Sequence, residues 1–284
     1  MQRIYVNGEY VDQHQARVSV FDRGFLFADA VYEVTAVVNG QLVDFDGHMQ
    51  RLQRSCKELA LRVPLRADEL QQIHLTLIEQ NDLQEGSIYL QLSRGSAGVR
   101  DFHFPGADVE PTLVLFTQQH AIVQHAKLQN GLKVVTWQDI RWQRRDIKTV
   151  GLLAACMAKE YARAQQADDV LFVEHGLITE GSSSNCHMVL ADNTLITTPL
   201  SHAILPGITR ATLLRLCAAE GITVVERSFS PQEAYQAQEL FISSATTFVL
   251  PVVALDGNTI GRGVPGPVVQ RLRERYIREL TGNK

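Results

Sequence analysis

Two Asn-Gly pairs constrain this chain more than any other feature. Asn7-Gly8 lies inside the alternating stretch 3–11, and Asn39-Gly40 separates the β-rich run 31–38 from residues 41–45. An Asn-Gly pair suits the two positive φ values of a type I′ turn, whose twist matches that of the strands it joins. Links this short leave only antiparallel pairing, because a parallel crossover needs a dozen or more residues. The chain therefore opens on antiparallel hairpins.

Two helical patterns follow, Met49, Leu52, Cys56 and Leu59 in the first and Leu70, Ile73, Leu77 and Ile78 in the second. Strand patterns return at residues 87–93 and 112–117. The polar stretch 118–124 then precedes a fresh strand at 132–136, so the spacing predicts a small first lobe of residues 1–118, a linker at 119–124 and a larger lobe of residues 125–284. The second lobe reads as a helix over about 150–166, strands at Asp169–Glu174 and 185–190, and a helix over about 208–220 closed by Gly221 at C′. Strands near Val224 and Phe241 and a last helix over Pro267–Leu280 complete it. Short strands mixed with helices, without strict alternation, predict an α+β fold rather than a doubly wound sheet.

At 284 residues the chain suits two lobes better than one minimal core. Its 27 Lys and Arg against 31 Asp and Glu give a net charge of -4, which removes the bulk electrostatic footprint of a nucleic-acid binder. The most apolar stretch, residues 152–158, is far short of a bilayer span, so no membrane association is expected and the cytoplasm is the expected compartment. Cys56, Cys156, Cys186 and Cys217 are scattered without a CxxC pair in apolar surroundings, which predicts core thiols rather than disulfides or a metal site.

Lysine is rare enough for each to be weighed. Lys57 and Lys159 fall within amphipathic helices, Lys127 in the linker region, Lys133 at a strand start and Lys284 at the terminus. Lys148 differs, standing in Asp146-Ile147-Lys148-Thr149-Val150 between a strand-like stretch and an apolar helix. A desolvated lysine there has a lowered pKa and can form a Schiff base; a snorkelling or ion-paired lysine is the plainer reading. In Thr179-Glu180-Gly181-Ser182-Ser183-Ser184-Asn185 one carboxylate precedes three hydroxyls, as a site or as an exposed polar turn. Leu205-Pro206-Gly207-Ile208-Thr209-Arg210 opens a helix whose N–H groups suit a phosphate or form an ordinary helix start.

In this order the segments resemble the fold-type IV family of pyridoxal 5′-phosphate (PLP) enzymes, and within it the D-amino acid aminotransferases. The resemblance also runs through Arg23-Gly24, Asp29-Ala30-Val31-Tyr32-Glu33-Val34, His48-Met49-Gln50-Arg51-Leu52, Arg94-Gly95 and Asp139-Ile140-Arg141-Trp142. It implies two α/β lobes with mixed and antiparallel sheets and the cofactor at their interface. It further implies that Lys148 carries PLP and shuttles the substrate proton, that Glu180 faces the pyridine nitrogen, and that Arg51 binds the phosphate. Ser184, Ile208, Thr209 and Thr246 become further cofactor ligands and Leu205 the residue packed on the ring. Amino acids and 2-oxo acids are the implied substrates, and a homodimer with active sites completed across its interface is the implied assembly.

Substrate choice turns on the carboxylate. In the D-amino acid enzymes a tyrosine, with an arginine and a histidine two residues apart from the other subunit, traps it. Tyr32 matches the tyrosine and Arg100 the arginine, whereas His103 stands three residues on, so the spacing departs from the pattern and His103 is equally well a loop-packing residue. Branched-chain aminotransferases usually show a Tyr-Glu-Gly pattern where this chain has Tyr32-Glu33-Val34, and the Gly-Asp-Gly-Phe pattern of aminodeoxychorismate lyases is replaced by Ala28-Asp29-Ala30-Val31. D-Alanine with 2-oxoglutarate is the implied substrate pair; an (R)-amine transaminase, which the altered loop keeps open, or a branched-chain aminotransferase of the same fold is the alternative, with an aminodeoxychorismate lyase behind them.

Overall fold

The computed structural model describes residues 2–280. The chain divides into two compact units, one of Met1–Ala121 with Ile147–Gly151 and one of Ile122–Asp146 with Leu152–Lys284.

The first unit is built on the hairpins that the Asn-Gly pairs dictate. β1 (Arg3–Val6) and β2 (Glu9–Asp12) pair antiparallel across Asn7 and Gly8, at φ 48° and 102°. After α1 (Arg23–Phe27), β3 (Ala30–Val38) turns at Asn39 and Gly40 into β4 (Gln41–Leu42). That strand stops short of the expected residue 45, because Asp44 takes a left-handed φ of 51° and α2 (Phe45–Glu58) begins directly after it. α3 (Ala67–Gln80), β5 (Glu85–Ser93) and β6 (Thr112–Gln119) complete an antiparallel sheet of order β2-β1-β6-β5-β3-β4. Side chains alternate across a strand, so one sheet face carries Val31, Val37, Ile88, Leu90 and Leu115 into a core with Leu52 of α2 and Leu77 of α3. The other face presents half-buried Tyr32, Tyr89 and Phe116.

Residues 150–152, expected to begin a helix, do not. Ile147 enters the first unit's core, Thr149 bridges Val31, and the Val150 N–H donates to the Ala30 carbonyl at 3.1 Å. These bonds place Ile147–Gly151 with the first unit, although the sequence reading assigned Lys148 to the second lobe.

The second unit begins with β7 (Leu132–Gln138) and α4 (Leu153–Ala164), followed by β8 (Asp169–Glu174), β9 (Leu177–Gly181), β10 (Asn185–Val189) and β11 (Leu195–Thr197). α5 (Ile208–Ala219), β12 (Val224–Glu226), α6 (Pro231–Tyr235), β13 (Glu239–Ser244), β14 (Phe248–Leu255), β15 (Asn258–Thr259) and α7 (Pro267–Leu280) complete it. Its sheet runs β12-β11-β10-β13-β14-β7-β8-β9 with β15 on β14, mixing antiparallel pairs with parallel β7/β8, β7/β14 and β11/β12. β14 has no sequence signature of a central strand because it contains Pro251. Pairing with β7 starts only at Val252, so on that side the missing N–H has no ladder partner.

All four cysteines are free; three are buried as expected, while Cys156 is exposed on α4. Burial pushes the Cys56 and Cys186 thiols up to about 12 and Cys217 to about 11. Among the described residues no helix is long and apolar enough to cross a membrane, and no cluster of His, Cys, Asp and Glu could hold a metal.

His74 on α3 and His187 on β10 are buried, and burial pushes them down from 6.5 to about 4 and about 3. The unfolded chain then takes up protons that the folded chain refuses, so this stability is full above pH 6.5 and declines as the pH falls through 4. Urea unfolding at pH 7 and pH 4.5 should show a loss of stability of which roughly 2 kcal/mol comes from His74, and His74→Leu should make the decline shallower. Equal stability at the two pH values would contradict it.

Candidate functional site

Within the first unit β3 places two neighbours on opposite faces. Glu33 points inward and is fully buried, where α2 supplies its partners: Arg51 donates from Nε at 2.8 Å and from Nη2 at 2.7 Å, and His48 Nδ1 lies at 2.8 Å. Burial pushes the Glu33 carboxyl up, but Arg51 and His48 outweigh it and hold it at about 2. The fork fixes the Arg51 guanidinium in one plane. Sequence reasoning named Arg51 and missed Glu33, whose signal was a lone carboxylate in an apolar β run.

Tyr32 faces the other way. Its ring stacks on Tyr89 at 5.5 Å, and Tyr89 stacks on Phe116 at 4.9 Å, a ladder across β3, β5 and β6. The Tyr32 N–H donates to the Lys148 carbonyl at 2.9 Å, and the Lys148 N–H donates to Ser55 Oγ at 3.4 Å. Ser55 lies one helical turn beyond Arg51 on α2, so Lys148 and Arg51 flank one edge of that helix. The Lys148 ammonium sits 4.2 Å from the Tyr32 ring centroid. Lys127 and Lys159 are paired with Asp168 and Asp169, whereas Lys148 has no ion pair among the described residues. Lys284 lies outside the described residues.

Arg100 and His103 occupy the loop between β5 and β6. Arg100 is exposed with its guanidinium 5.0 Å from the Phe27 ring, and the His103 side chain, 94% exposed, lies 3.1 Å from Asp101. No hydrogen bond, ion pair or ring contact joins either of them to Tyr32 or Lys148 among the described residues.

Within the second unit Glu180 ends β9 rather than standing in a polar turn. The turn is confined to Ser182, Ser183 and Ser184, because His175 and Gly176, at φ 51° and 78°, fold β8 back into β9. Glu180 is buried. Its Oε1 accepts from Arg141 Nη1 at 2.7 Å, and its Oε2 accepts from Asn185 Nδ2 and the Leu205 N–H, each at 3.1 Å. Arg141 also forks onto Asp139, with Nε at 2.9 Å and Nη2 at 2.7 Å. Burial pushes the Glu180 carboxyl up against the pull of Arg141. For Asp139 burial acts in the same direction, but Arg141 and Arg145 prevail and hold it below its ordinary range. The motif Asp139-Ile140-Arg141 was legible in the sequence, but its bond to Glu180 was not.

The remaining candidates gather at the same end of this sheet. Asn185 pairs with Ser243, which sets the 244–247 turn carrying Thr246 beside the serine turn. The Asn185 amide also donates to the Leu205 carbonyl at 2.9 Å. A Cβ on Gly207 would stand 2.0 Å from Asn185 Oδ1, so only glycine lets the start of α5 approach. α5 has no side-chain cap and no acidic residue in its first turn, leaving the Ile208 and Thr209 end of the helix suited to an anion. The buried Ser184 hydroxyl has no hydrogen-bond partner among the described residues.

A family model described as Amino-transferase class IV matches residues 30–255. D-alanine aminotransferase from Staphylococcus aureus is 37% identical over 276 residues, covering 97% of this chain and 97% of its own. D-alanine aminotransferase from Bacillus licheniformis is 35% identical over 271 residues, covering 95% of this chain and 94% of its own. Among solved structures, a branched-chain aminotransferase from Escherichia coli gives a TM-score of 0.89 at 26% identity, over 100% of this chain and 95% of that one.

Arg141 is the counter-charge of two buried carboxylates. Arg141→Met should destabilise the protein by about 3 kcal/mol or more in urea unfolding, because removing one member of a buried pair strands the other, and Arg141→Lys should recover part of the loss. Unchanged stability in Arg141→Met would refute this account of the network.

Proposed function

The chain belongs to the class IV aminotransferases, and from that premise we propose that it is a PLP-dependent D-amino acid aminotransferase that passes the amino group of D-alanine to 2-oxoglutarate. The observation that carries the reading is Lys148, a half-buried amine without an ion pair among the described residues, held over the ring of Tyr32. The residues present fit the cofactor. Among the described residues Glu180 Oε1 has one hydrogen-bond partner, leaving a lone pair for a protonated ring nitrogen. The unpartnered Ser184 hydroxyl and the uncapped start of α5 supply phosphate donors.

PLP, when bound, supplies the electron sink that makes the substrate Cα–H acidic and carries the amino group. Lys148 binds the cofactor through Nζ, and the same atom moves the proton from and to the substrate carbon. Glu180 faces the ring nitrogen and favours its protonated form, and Arg141 pulls the Glu180 carboxyl down against the larger upward push of burial. Arg51, Ser184, Thr246 and the Ile208 and Thr209 N–H groups hold the phosphate, while Leu205 packs on the ring. Tyr32 and Arg100 hold the substrate carboxylate. His103 has the weakest support, since its side chain projects into solvent.

The branched-chain reading draws on likeness of fold at about a quarter identity, whereas likeness to the D-alanine enzymes is 37% over nearly the whole chain. We further propose a homodimer whose sites are completed across the interface. Leu153, Met157 and Tyr161, spaced i, i+4, i+8 on α4, are exposed, as are Phe25, Phe102 and Phe104 of the first unit, and a second copy would cover such surface. Four free thiols support placement in the reducing cytoplasm.

The purified protein should absorb in the visible range, and Lys148→Ala should abolish that absorbance together with turnover. D-Alanine with 2-oxoglutarate should give pyruvate and D-glutamate. Turnover of L-valine or L-leucine alone would establish the branched-chain reading, and turnover of (R)-1-phenylethylamine alone the amine reading. Repeated release of pyruvate from aminodeoxychorismate without any amino acceptor would establish the lyase. Arg100→Ala should raise KM for D-alanine about tenfold or more by removing a charge-assisted contact, with little effect on simple amines; equal effects on both would rule out a carboxylate role.

A further inference from the structure

The loop that carries Arg100 is held by charge rather than by regular structure. Arg23 opens α1 and is buried; its Nη1 donates to the carbonyls of Asp101 and His103, the latter at 3.1 Å, and its Nη2 to that of Phe102 at 3.4 Å. Three successive carbonyls thus converge on one guanidinium. Its Nε donates to Asp29 Oδ2 at 2.7 Å, and the same carboxylate accepts from Arg94 Nε at 2.8 Å and Nη2 at 3.1 Å. Arg94 in turn donates to the carbonyls of Leu59 and Ala60 at 2.8 and 2.9 Å.

Two buried guanidinium groups therefore share one carboxylate, and the surplus positive charge is met by carbonyl dipoles and ring faces. Phe104 lies 3.7 Å from Arg94 and 5.6 Å from Arg23, and Phe27 lies 4.7 Å from Arg23. Were the loop to leave, Arg23 would keep its charge and lose three acceptors, which is costly for a buried group. The same fold places Arg100: the Phe27 and Phe102 rings meet tilted at 5.3 Å, and the Arg100 guanidinium sits 5.0 and 5.2 Å from those two rings.

We infer that Arg23 is a positioning residue for substrate carboxylate binding: by gripping the Asp101, Phe102 and His103 carbonyls it fixes the loop in the conformation that presents Arg100. The inference rests on the reading of Arg100 given above. It also gives position 103 a role through its main-chain carbonyl, independent of the imidazole.

Arg23→Lys keeps the charge beside Asp29 but cannot reach three carbonyls. In the holoenzyme it should raise KM for D-alanine and 2-oxoglutarate about fivefold to tenfold, with kcat within about twofold, and speed amide hydrogen exchange in residues 99–105 selectively. In an Arg100→Ala background it should add no further KM change. Phe104→Ala, at an exposed ring, should shift KM the same way by about twofold to threefold and serves should Arg23→Lys fail to fold. A normal KM in Arg23→Lys, or in Phe104→Ala where the first does not fold, overturns the inference if Arg100→Ala still raises KM. A normal KM in Arg100→Ala overturns the reading of Arg100 and the inference with it. A fall in kcat with faster exchange throughout the chain would mark Arg23 as merely structural and overturn the inference too.

Discussion

A few hydrogen bonds between residues 147–151 and β3 organise the candidate site. The Tyr32 N–H bonds to the Lys148 carbonyl, the Val150 N–H bonds to the Ala30 carbonyl, and Thr149 bridges Val31. With the backbone fixed on both sides, the Lys148 side chain runs over the Tyr32 ring. The strand that orients Tyr32 also drives Glu33 into the core, where it forks Arg51. Amine, phenol and guanidinium are thus referred to the same stretch of backbone, and their relative positions follow from pairing rather than from long flexible side chains.

The second unit solves a different problem, that of seating a carboxylate in the interior. Burial pushes the Glu180 carboxyl up, and Arg141 supplies the opposing field while being held by Asp139. Asn185 and the Leu205 N–H take up the other oxygen, so Glu180 has little rotational freedom. Gly181 belongs to the same design. A Cβ there would meet Ser184 Oγ at 2.3 Å, so the glycine allows the serine turn to fold over the end of β9.

Local signals were legible where local chemistry decides. The Asn-Gly turns, α2 and α3 of the first unit, β8 and α7 follow from turn preference and periodicity, and they stand where the pattern placed them. The resemblance of residues 179–185 and 207–210 singled out Glu180 and the start of α5. What the sequence withheld were long-range partnerships. Nothing local says that residues 147–151 pair with β3, that Glu33 answers Arg51, or that Arg141 reaches Glu180 across 39 positions. β14 was hidden because a proline inside a strand is tolerable only when neighbouring strands leave its nitrogen unpartnered, a fact of topology.

The central claim is that backbone pairing to β3 makes Lys148 the amine that carries the cofactor. Borohydride reduction of the yellow holoenzyme, followed by proteolysis and peptide mass spectrometry, tests it most directly. The account predicts one phosphopyridoxyl-modified residue, Lys148. Modification of Lys57, Lys133 or Lys159 with Lys148 unlabelled, or no stable label at all, would contradict it.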